Sequence, residues 1–214
     1  MSDNALRQQL LDTARAIGTQ GLGHGSAGNV SVRVAGGFLV TPSALPYEEC
    51  ACEDMVFVDW DGEAQGRRRP SSEWRMHRDI YTTHQDAQAI LHTHAPACTT
   101  LACLHKSIPA FHYMVALGGG EDIRCAPYAS FGTEELSEHV LKALADRRAC
   151  LLANHGMICF AGDLPSALTL ALEIEDLAHI YCETLKIGAP QILSQEQMRE
   201  VLEKFADYRR HGET

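Results

Sequence analysis

L-H-T-H-A-P-A, residues 91–97, is the segment around which the rest of the chain can be arranged. It continues the apolar run Ala89-Ile90-Leu91, which predicts a short buried β-strand. Because side chains alternate along a strand, we expect His92 and His94 to project from the same face, about 7 Å apart along the chain. Two imidazoles at that spacing can bind one metal ion. The alternative is a pair of hydrogen-bonded histidines at a strand edge.

A third imidazole and a carboxylate extend this pattern. L-L-A-N-H-G-M-I, residues 151–158, predicts a second apolar strand that ends in His155-Gly156. Three neutral imidazoles and one carboxylate form a zinc site whose last position can be given up to a substrate. Glu73, in P-S-S-E-W-R at 70–75, is the candidate carboxylate. The simpler interpretation of Glu73 is an acidic residue in the first turn of a helix, where it suits the helix dipole.

Composition and charge limit the classes of function. The 214 residues, 45% hydrophobic and 21% charged, are those of an ordinary globular chain, and we expect one domain over residues 1–214. A formal net charge of −10 argues against a general nucleic-acid binder. It does not argue against a phosphorylated small molecule, since backbone N–H groups and a helix N-terminus can hold one phosphate. With no signal peptide and no apolar stretch of about 18 residues, we expect a cytoplasmic protein without a membrane partner.

Two further patterns receive structural interpretations. The eight cysteines show no C-x-x-C spacing, so we expect reduced, mostly buried side chains. The basic run Arg67-Arg68-Arg69 is expected to be a solvated loop without a function.

The chain alternates strand patterns with helix patterns. Apolar residues between 6 and 17 recur at helical spacing, and Gly36-Gly37 predicts a hairpin that begins an antiparallel meander. A helix should begin after Pro70 with Ser71 or Ser72 as its N-cap, and residues 164–187 predict a long helix that is apolar on most faces. This alternation predicts an α/β fold, a three-layer α/β/α domain with a mostly antiparallel central sheet.

G-L-G-H-G-S-A-G-N, residues 21–29, has four glycines in nine positions. Such a loop lets the backbone approach an anion closely. By itself it would be an ordinary connection, and it lacks the glycine spacing of nucleotide-binding loops.

Taken together, these motifs resemble the class II aldolase/adducin family. The resemblance covers essentially the whole chain and implies the same three-layer fold, assembled as a C4 homotetramer with active sites between neighbouring subunits. The matching segments include 25–33 (G-S-A-G-N-V-S-V-R), 40–48 (V-T-P-S-A-L-P-Y-E), 70–75, 92–94, 108–114 (I-P-A-F-H-Y-M), 126–140 (A-P-Y-A-S-F-G-T-E-E-L-S-E-H-V) and 154–156 (N-H-G).

The resemblance also implies roles for particular residues. One Zn²⁺ per subunit is expected to be bound by Glu73, His92, His94 and His155, and Glu73 is expected to act also as the base that exchanges a proton with C1 of dihydroxyacetone phosphate. His₃-carboxylate ligation favours zinc without excluding cobalt or manganese. The residues expected to hold the substrate phosphate are Ser26, Gly28, Asn29, Ser43, Ala44, Ser71 and Ser72.

The resemblance is incomplete at Ser43-Ala44 and leaves two roles open for Tyr113 and for Tyr208. The family often has Thr-Gly where this chain has Ser43-Ala44, and alanine disfavours a positive φ. Tyr113 matches a tyrosine that reaches in from the adjacent subunit to exchange a proton with the aldehyde-derived hydroxyl; its alternative role is packing at an interface. Tyr208 resembles a tyrosine of a mobile tail, or else belongs to the apolar stripe of the last helix.

The activity implied is reversible cleavage of L-fuculose 1-phosphate, or a close relative, to dihydroxyacetone phosphate and L-lactaldehyde through a zinc-stabilised enediolate. Within the family the alternatives are an aldolase for another deoxyketose 1-phosphate, a ribulose-5-phosphate 4-epimerase and a methylthioribulose-1-phosphate dehydratase. The segments F-H-Y-M and A-P-Y-A-S-F-G favour the first reading. A non-catalytic adducin-like assembly domain would be expected to lack the ligand histidines, which are present here.

Overall fold

The computed structural model describes residues 3–25 and 27–212, with side chains as far as residue 207. Its centre is the strand predicted from the apolar run before His92, in which all five residues are buried. The strands of the described chain, in sequence order, are β1 (Asn29–Val34), β2 (Gly37–Val40), β3 (Val56–Asp59), β4 (Ala64–Gln65), β5 (Ala89–Thr93), β6 (Arg124–Ala126), β7 (Ala149–Leu152) and β8 (Gly156–Ala161).

These strands form one eight-stranded sheet in the order β4-β3-β2-β1-β5-β8-β7-β6. Neighbouring strands are antiparallel except β6 and β7. The predicted meander is confirmed, and Val34 pairs with Gly37 across its first hairpin. One expectation was wrong in detail: His155 does not end a strand but lies in the turn, residues 153–155, that joins β7 to β8. Asn154 in that turn has a φ of 55°.

Helices cover both faces of the sheet. They are α1 (Asp3–Thr19), α2 (Trp74–Thr83), α3 (Pro96–Cys103), α4 (Glu134–Ala143), α5 (Leu164–Ile187) and α6 (Gln195–Gly212). Helices α1, α3 and α5 share one apolar core with the sheet, and α2 and α4 share another on the opposite face. The predicted three-layer α/β/α class is therefore confirmed.

The start of α2 differs from the prediction. Neither Ser71 nor Ser72 is its N-cap, because the helix begins at Trp74 and Glu73 takes the cap position without a side-chain cap bond. The Ser71 hydroxyl instead accepts a hydrogen bond from the Glu73 N–H at 3.3 Å. Ser71 and Ser72 thus lie in the segment that leads into the helix, with Glu73 at its N-terminus.

Strand alternation decides on which face the site forms. In β5, Ala89 and Leu91 face the core of α1, α3 and α5, whereas Ile90 faces the core of α2 and α4. His92 follows in the second series, so its ring points to the layer that contains α2. The same alternation in β1 sends Asn29 and Ser31 to that side, because Val30 and Val32 belong to the first core.

The basic run lies in an exposed loop, as expected, and Arg67 and Arg68 each also donate from Nε to the Asp54 carboxylate at 2.8 Å. Asp54 is buried, so the two guanidinium groups supply the charge that its carboxylate requires. Helix α5 is buried along one face only, and Ile187 at its end is 91% exposed.

The described cysteines are free, as expected, with Cys98, Cys150 and Cys159 buried among them. None of the helices in the described part of the chain combines the length and apolarity that a membrane span needs.

Candidate active site

Three imidazole rings converge at one end of the sheet. The ring centroids of His92 and His94 are 5.1 Å apart, and His155 is 4.7 Å from His92 and 5.0 Å from His94. One ligand nitrogen from each ring lies within 4.8 Å of the others. His92 Nδ1 is 2.8 Å from the Met157 carbonyl oxygen, to which it donates, so its Nε2 is the nitrogen that faces the other rings. The β5 strand and the β7–β8 turn thus bring together the three predicted histidines.

Glu73 completes this cluster from the neighbouring layer. Its Oε2 lies 3.2 Å from His92 Nε2, and its Oε1 lies 3.5 Å from His155 Nε2. The Asn29 amide donates to Oε2 at 2.9 Å. Glu73 is only 6% exposed, so the helix N-terminus places a carboxylate inside the site rather than in solvent. An acidic residue that only suited the helix dipole would not need to be buried, so the position of Glu73 favours a role in the site.

The polar atoms of this cluster fit a bound cation. Glu73 Oε1, His92 Nε2 and His94 Nε2 are buried and have no hydrogen-bond partner. Buried polar atoms without partners are costly and uncommon in proteins. Three of them on adjacent imidazole and carboxylate groups are the donor set that Zn²⁺ takes. His92, His94, His155 and Glu73 are therefore the residues that could hold a divalent ion.

The electrostatics differ between the rings of the cluster. Burial would lower the pKa of His92, but the Glu73 carboxylate beside it raises that pKa. Burial would raise the pKa of Glu73, but the charge and hydrogen bonding of His92, aided by His155 and Asn29, lower that pKa well below its usual range. Burial, reinforced by His92, lowers the pKa of His94 and of His155 to about 4. Both rings are therefore neutral at physiological pH, which is the form that binds a metal. The ionised Glu73 carboxylate in turn requires positive charge beside it.

A cavity of about 340 Å³ opens beside the cluster. Glu73, His94 and His155 line it at the metal end. The residues of the expected phosphate site that also line it are Gly28, Asn29, Ser43, Ala44, Ser71 and Ser72. Ser26, the remaining member of that expected set, lies outside the described residues.

Two members of the phosphate set have unexpected surroundings. Ala44 has a φ of 56°, the left-handed conformation in which a side chain is strained. Asn29 is buried, and its amide is already hydrogen-bonded at both ends, to Glu73 and to His77.

Of the two candidate tyrosines, Tyr113 lies apart from this cavity. Tyr113 begins a 3₁₀ helix, Tyr113–Gly118, is 48% exposed and does not line the cavity of its own chain. Its ring lies 6.3 Å from that of Phe205 on α6. Tyr208 belongs to the main chain of α6, but its side chain lies outside the described part of the structure.

Sequence patterns missed some of the residues in this region. Tyr128, Phe131 and Asn154 line the cavity, and only their place in segments of family resemblance pointed to them. His77 on α2 is a further such residue, buried and hydrogen-bonded to Asn29. Its spacing of four residues from Glu73, which puts both on one helix face, was the available signal.

Residues 8–182 match the family described as Class II Aldolase and Adducin N-terminal domain. The chain belongs to the class II aldolase/adducin family. Class II aldolases depend on a metal, and the three histidines form the corresponding candidate site in this chain.

Similar proteins agree with this assignment. A 5-methylthioribulose-1-phosphate/5-deoxyribulose-1-phosphate aldolase from Rhodospirillum rubrum is 53% identical over 95% of this chain and 92% of its own length. An L-fuculose phosphate aldolase from Escherichia coli is 48% identical over 97% of each chain. A solved structure of an L-fuculose 1-phosphate aldolase superimposes with a TM-score of 0.92 at 40% identity, covering 96% of this chain and 97% of that one. This class II aldolase thus has relatives with three different named substrates.

Proposed function

We propose that this class II aldolase reversibly cleaves a ketose 1-phosphate between C3 and C4, and that L-fuculose 1-phosphate is its first candidate substrate. The observation that carries the proposal is the pairing of two features in one cavity. Glu73 and His94, each with a buried polar atom that has no partner, line the cavity, and so do Ser71 and Ser72 just before a helix N-terminus. A ketose 1-phosphate has an oxygen-rich carbonyl end and a phosphate that match these features.

The reaction requires two proton transfers between the substrate and groups of the protein. The C4 hydroxyl gives up a proton, the C3–C4 bond breaks to release an aldehyde, and a proton is added to C3, which becomes the hydroxymethyl carbon of dihydroxyacetone phosphate. We assign the last transfer to Glu73, whose Oε1 has no hydrogen-bond partner while Oε2 is held by Asn29. We assign the first to Tyr113 of an adjacent subunit, since Tyr113 is exposed and does not line the cavity of its own chain.

Zn²⁺ is the ion we propose for the four ligand residues His92, His94, His155 and Glu73. When bound, it supplies Lewis-acid stabilisation of the negative charge that develops on the substrate oxygens. The protein keeps His94 and His155 neutral and positions them through a strand end and a tight turn.

The phosphate site is proposed at the segment before α2 and the turn after β2. Hydroxyl groups of Ser43, Ser71 and Ser72 line the cavity there, together with the backbone of Gly28. The N-terminus of α2 favours an anion through the helix dipole. These groups orient the substrate without the large positive charge that this acidic chain lacks.

A second candidate substrate has its own support. The relative from Rhodospirillum rubrum, 53% identical to this chain, is named for 5-methylthioribulose 1-phosphate and 5-deoxyribulose 1-phosphate. These compounds and L-fuculose 1-phosphate share the phosphorylated ketone end and carry an apolar group at the far end. Tyr128 and Phe131, 57% and 69% exposed, line the cavity and offer aromatic surface to such a group.

The test is release of dihydroxyacetone phosphate from a panel of ketose phosphates, with and without a chelator. The panel contains L-fuculose 1-phosphate, 5-deoxyribulose 1-phosphate, 5-methylthioribulose 1-phosphate, L-rhamnulose 1-phosphate and L-ribulose 5-phosphate. We expect chelator-sensitive cleavage, fastest with L-fuculose 1-phosphate. Faster cleavage of the methylthio compound would make the second candidate the substrate. Fully metallated protein that cleaves none of the panel would refute the aldolase proposal and direct assays to epimerisation and dehydration.

A further inference from the structure

A line of buried polar side chains runs from Glu73 into the core beneath the cavity. The Asn29 amide donates to Glu73 Oε2 at 2.9 Å, and its Oδ1 is hydrogen-bonded to His77 Nε2. His77 Nδ1 lies 2.6 Å from Ser31 Oγ, which lies 2.8 Å from the Tyr81 hydroxyl. His77, Ser31 and Tyr81 are each 0% exposed. We call this line the Glu73 relay.

The direction of each hydrogen bond in the Glu73 relay follows from the Glu73 carboxylate, the acceptor at one end of the line. An ionised carboxylate can only accept, so the Asn29 NH₂ group must face Glu73, and Oδ1 must face His77. His77 Nε2 therefore carries a proton. Burial, with a further contribution from His92, lowers the pKa of His77 to about 3, so the ring is neutral.

The hydroxyl groups of Ser31 and Tyr81 continue the same order of donors and acceptors. A neutral ring protonated at Nε2 has an acceptor at Nδ1, so the Ser31 hydroxyl donates to it. The Ser31 oxygen is then free to accept from Tyr81. Every donor in the line points towards Glu73, and every polar atom that takes part has a partner.

We propose that His77 is a positioning residue for Glu73, acting through the Asn29 amide. By presenting a donor to Asn29 Oδ1, His77 prevents the amide from turning its carbonyl oxygen towards the carboxylate. Glu73 is then held by Oε2 alone, and Oε1 is left free towards the metal site and the substrate. This inference rests on the proposed role of Glu73 as the base.

A purely structural role for His77 makes a different prediction. His77 is a fully buried residue of α2, where an apolar side chain of similar size could fill the same space. If packing were its only role, replacement by leucine would change stability and leave turnover unchanged. If His77 orients Asn29, turnover falls even when folding and metal content are preserved.

The kinetic test compares His77→Leu with His77→Gln on the fastest substrate of the panel. Leucine removes both hydrogen-bonding atoms, whereas the glutamine amide can donate to Asn29 and accept from Ser31. We expect His77→Leu to lower kcat at least 10-fold with KM changed less than about threefold, and His77→Gln to restore most of it. The matched control is Met76→Leu, a buried change on the same helix that leaves the relay intact and should keep kcat within about twofold.

Metal content and circular dichroism of each variant are measured alongside the kinetics. Folded, metal-loaded His77→Leu with kcat within about twofold of wild type would overturn the proposal, and so would a His77→Gln variant as slow as His77→Leu.

A second readout does not depend on activity or on the leucine variant. In the ¹⁵N spectrum of the metal-loaded wild-type protein, assigned by comparison with His77→Gln, the His77 ring should carry its proton on Nε2 throughout neutral pH. A proton on Nδ1 would contradict the relay. If the protein cleaves no member of the panel but shows the Nε2 form, the aldolase proposal fails while the relay stands.

Discussion

The two carboxylate oxygens of Glu73 have different surroundings. Oε2 accepts from Asn29, whereas Oε1 is buried without a hydrogen-bond partner beside His155. Oε2 therefore holds the side chain in place, and Oε1 remains available for the proposed proton transfer. It also shows why the structure assigns Asn29 first to Glu73, although the family resemblance had placed it in the phosphate site.

Replacement of Glu73 by glutamine tests the proposed base. Glutamine keeps the size of the side chain and the three histidines remain, so we expect the metal content to stay near one ion per chain. Loss of the base should lower kcat at least 10²-fold. Metal analysis and turnover are measured on the same sample, and an unchanged kcat would remove Glu73 from the mechanism.

Ala44 carries a backbone strain that glycine would relieve. Its φ of 56° is unfavourable for any residue with a Cβ atom. We expect Ala44→Gly to raise the free energy of unfolding by roughly 0.5 to 1 kcal/mol, after subtraction of the extra freedom of glycine in the unfolded chain. Urea denaturation measures this. Ala35→Gly, at a turn position with negative φ, should lower the stability instead, and destabilisation by both changes would argue against strain at residue 44.

His77 predicts how stability depends on pH. Its pKa is about 3 in the folded protein, against a reference value of 6.5, because the buried ring resists protonation. Between these values the unfolded chain binds the extra proton, so stability falls as the pH falls below 6.5. From pH 7 to pH 5 the wild type should lose about 2 kcal/mol more than His77→Gln. Urea titrations of both proteins at equal metal and protein concentration measure this difference, and parallel losses would contradict it.

At the scale of elements, β5 and β8 are neighbouring antiparallel strands. They lie very close together where the candidate ligands His94 and His155 flank them. A Cβ atom on Gly156 would lie 2.2 Å from the Thr93 carbonyl oxygen and 3.1 Å from the His94 ring. Only glycine fits at this position, directly after His155. The separation of the two ligand-bearing segments therefore depends on the absence of one methyl group.

We expect Gly156→Ala to push β8 away from β5 and so to separate His155 from His94. The affinity for Zn²⁺ should fall about 10- to 100-fold, and the stability by about 1–3 kcal/mol. Competition with a chromophoric chelator measures the affinity. The matched control is Gly162→Ala just beyond β8, where an added Cβ meets no atom within 4 Å. Equal Zn²⁺ affinities of Gly156→Ala and Gly162→Ala would show that the close contact between β5 and β8 does not set the ligand geometry.

Much of each element could be predicted from local patterns. Helix α1 and the hairpin between β1 and β2 occur where apolar spacing and turn residues indicated. The partner that caps α3 could not be predicted in this way, since the N–H groups of residues 97 and 98 donate to Glu175 of α5 at 2.8 and 2.9 Å. A cap from a distant helix leaves no signal in the local sequence.

At the scale of the molecule, we propose that the active site is completed by assembly. Tyr113 is exposed, and the apolar end of α5 is exposed at Ile187. Both features fit the C4 homotetramer that the family resemblance implies. In solution we expect a mass about four times that of the 23.5-kDa chain, measured by light scattering.

Mixing two inactive variants tests whether Tyr113 acts across subunits. Glu73→Gln and Tyr113→Phe should each lack activity alone. After subunit exchange, roughly a quarter of the sites combine an intact Glu73 with an intact Tyr113 from the neighbour by random assortment. Activity in the mixture is therefore expected. If Tyr113 acted within its own chain, no mixed site would be intact and the mixture would remain inactive.

The sequence alone determined the candidate histidines, the buried strand β5 at whose end His92 and His94 lie, and the layered fold, because periodicity and turn chemistry are local properties of the chain. Tertiary structure decided what those residues meet. The register of β1 against β5 placed Asn29 opposite His92, and packing of α2 on the sheet brought Glu73 to the imidazoles and His77 to Asn29. Buried polar groups must find partners wherever the layers meet, and the identity of a distant partner is not encoded in local spacing.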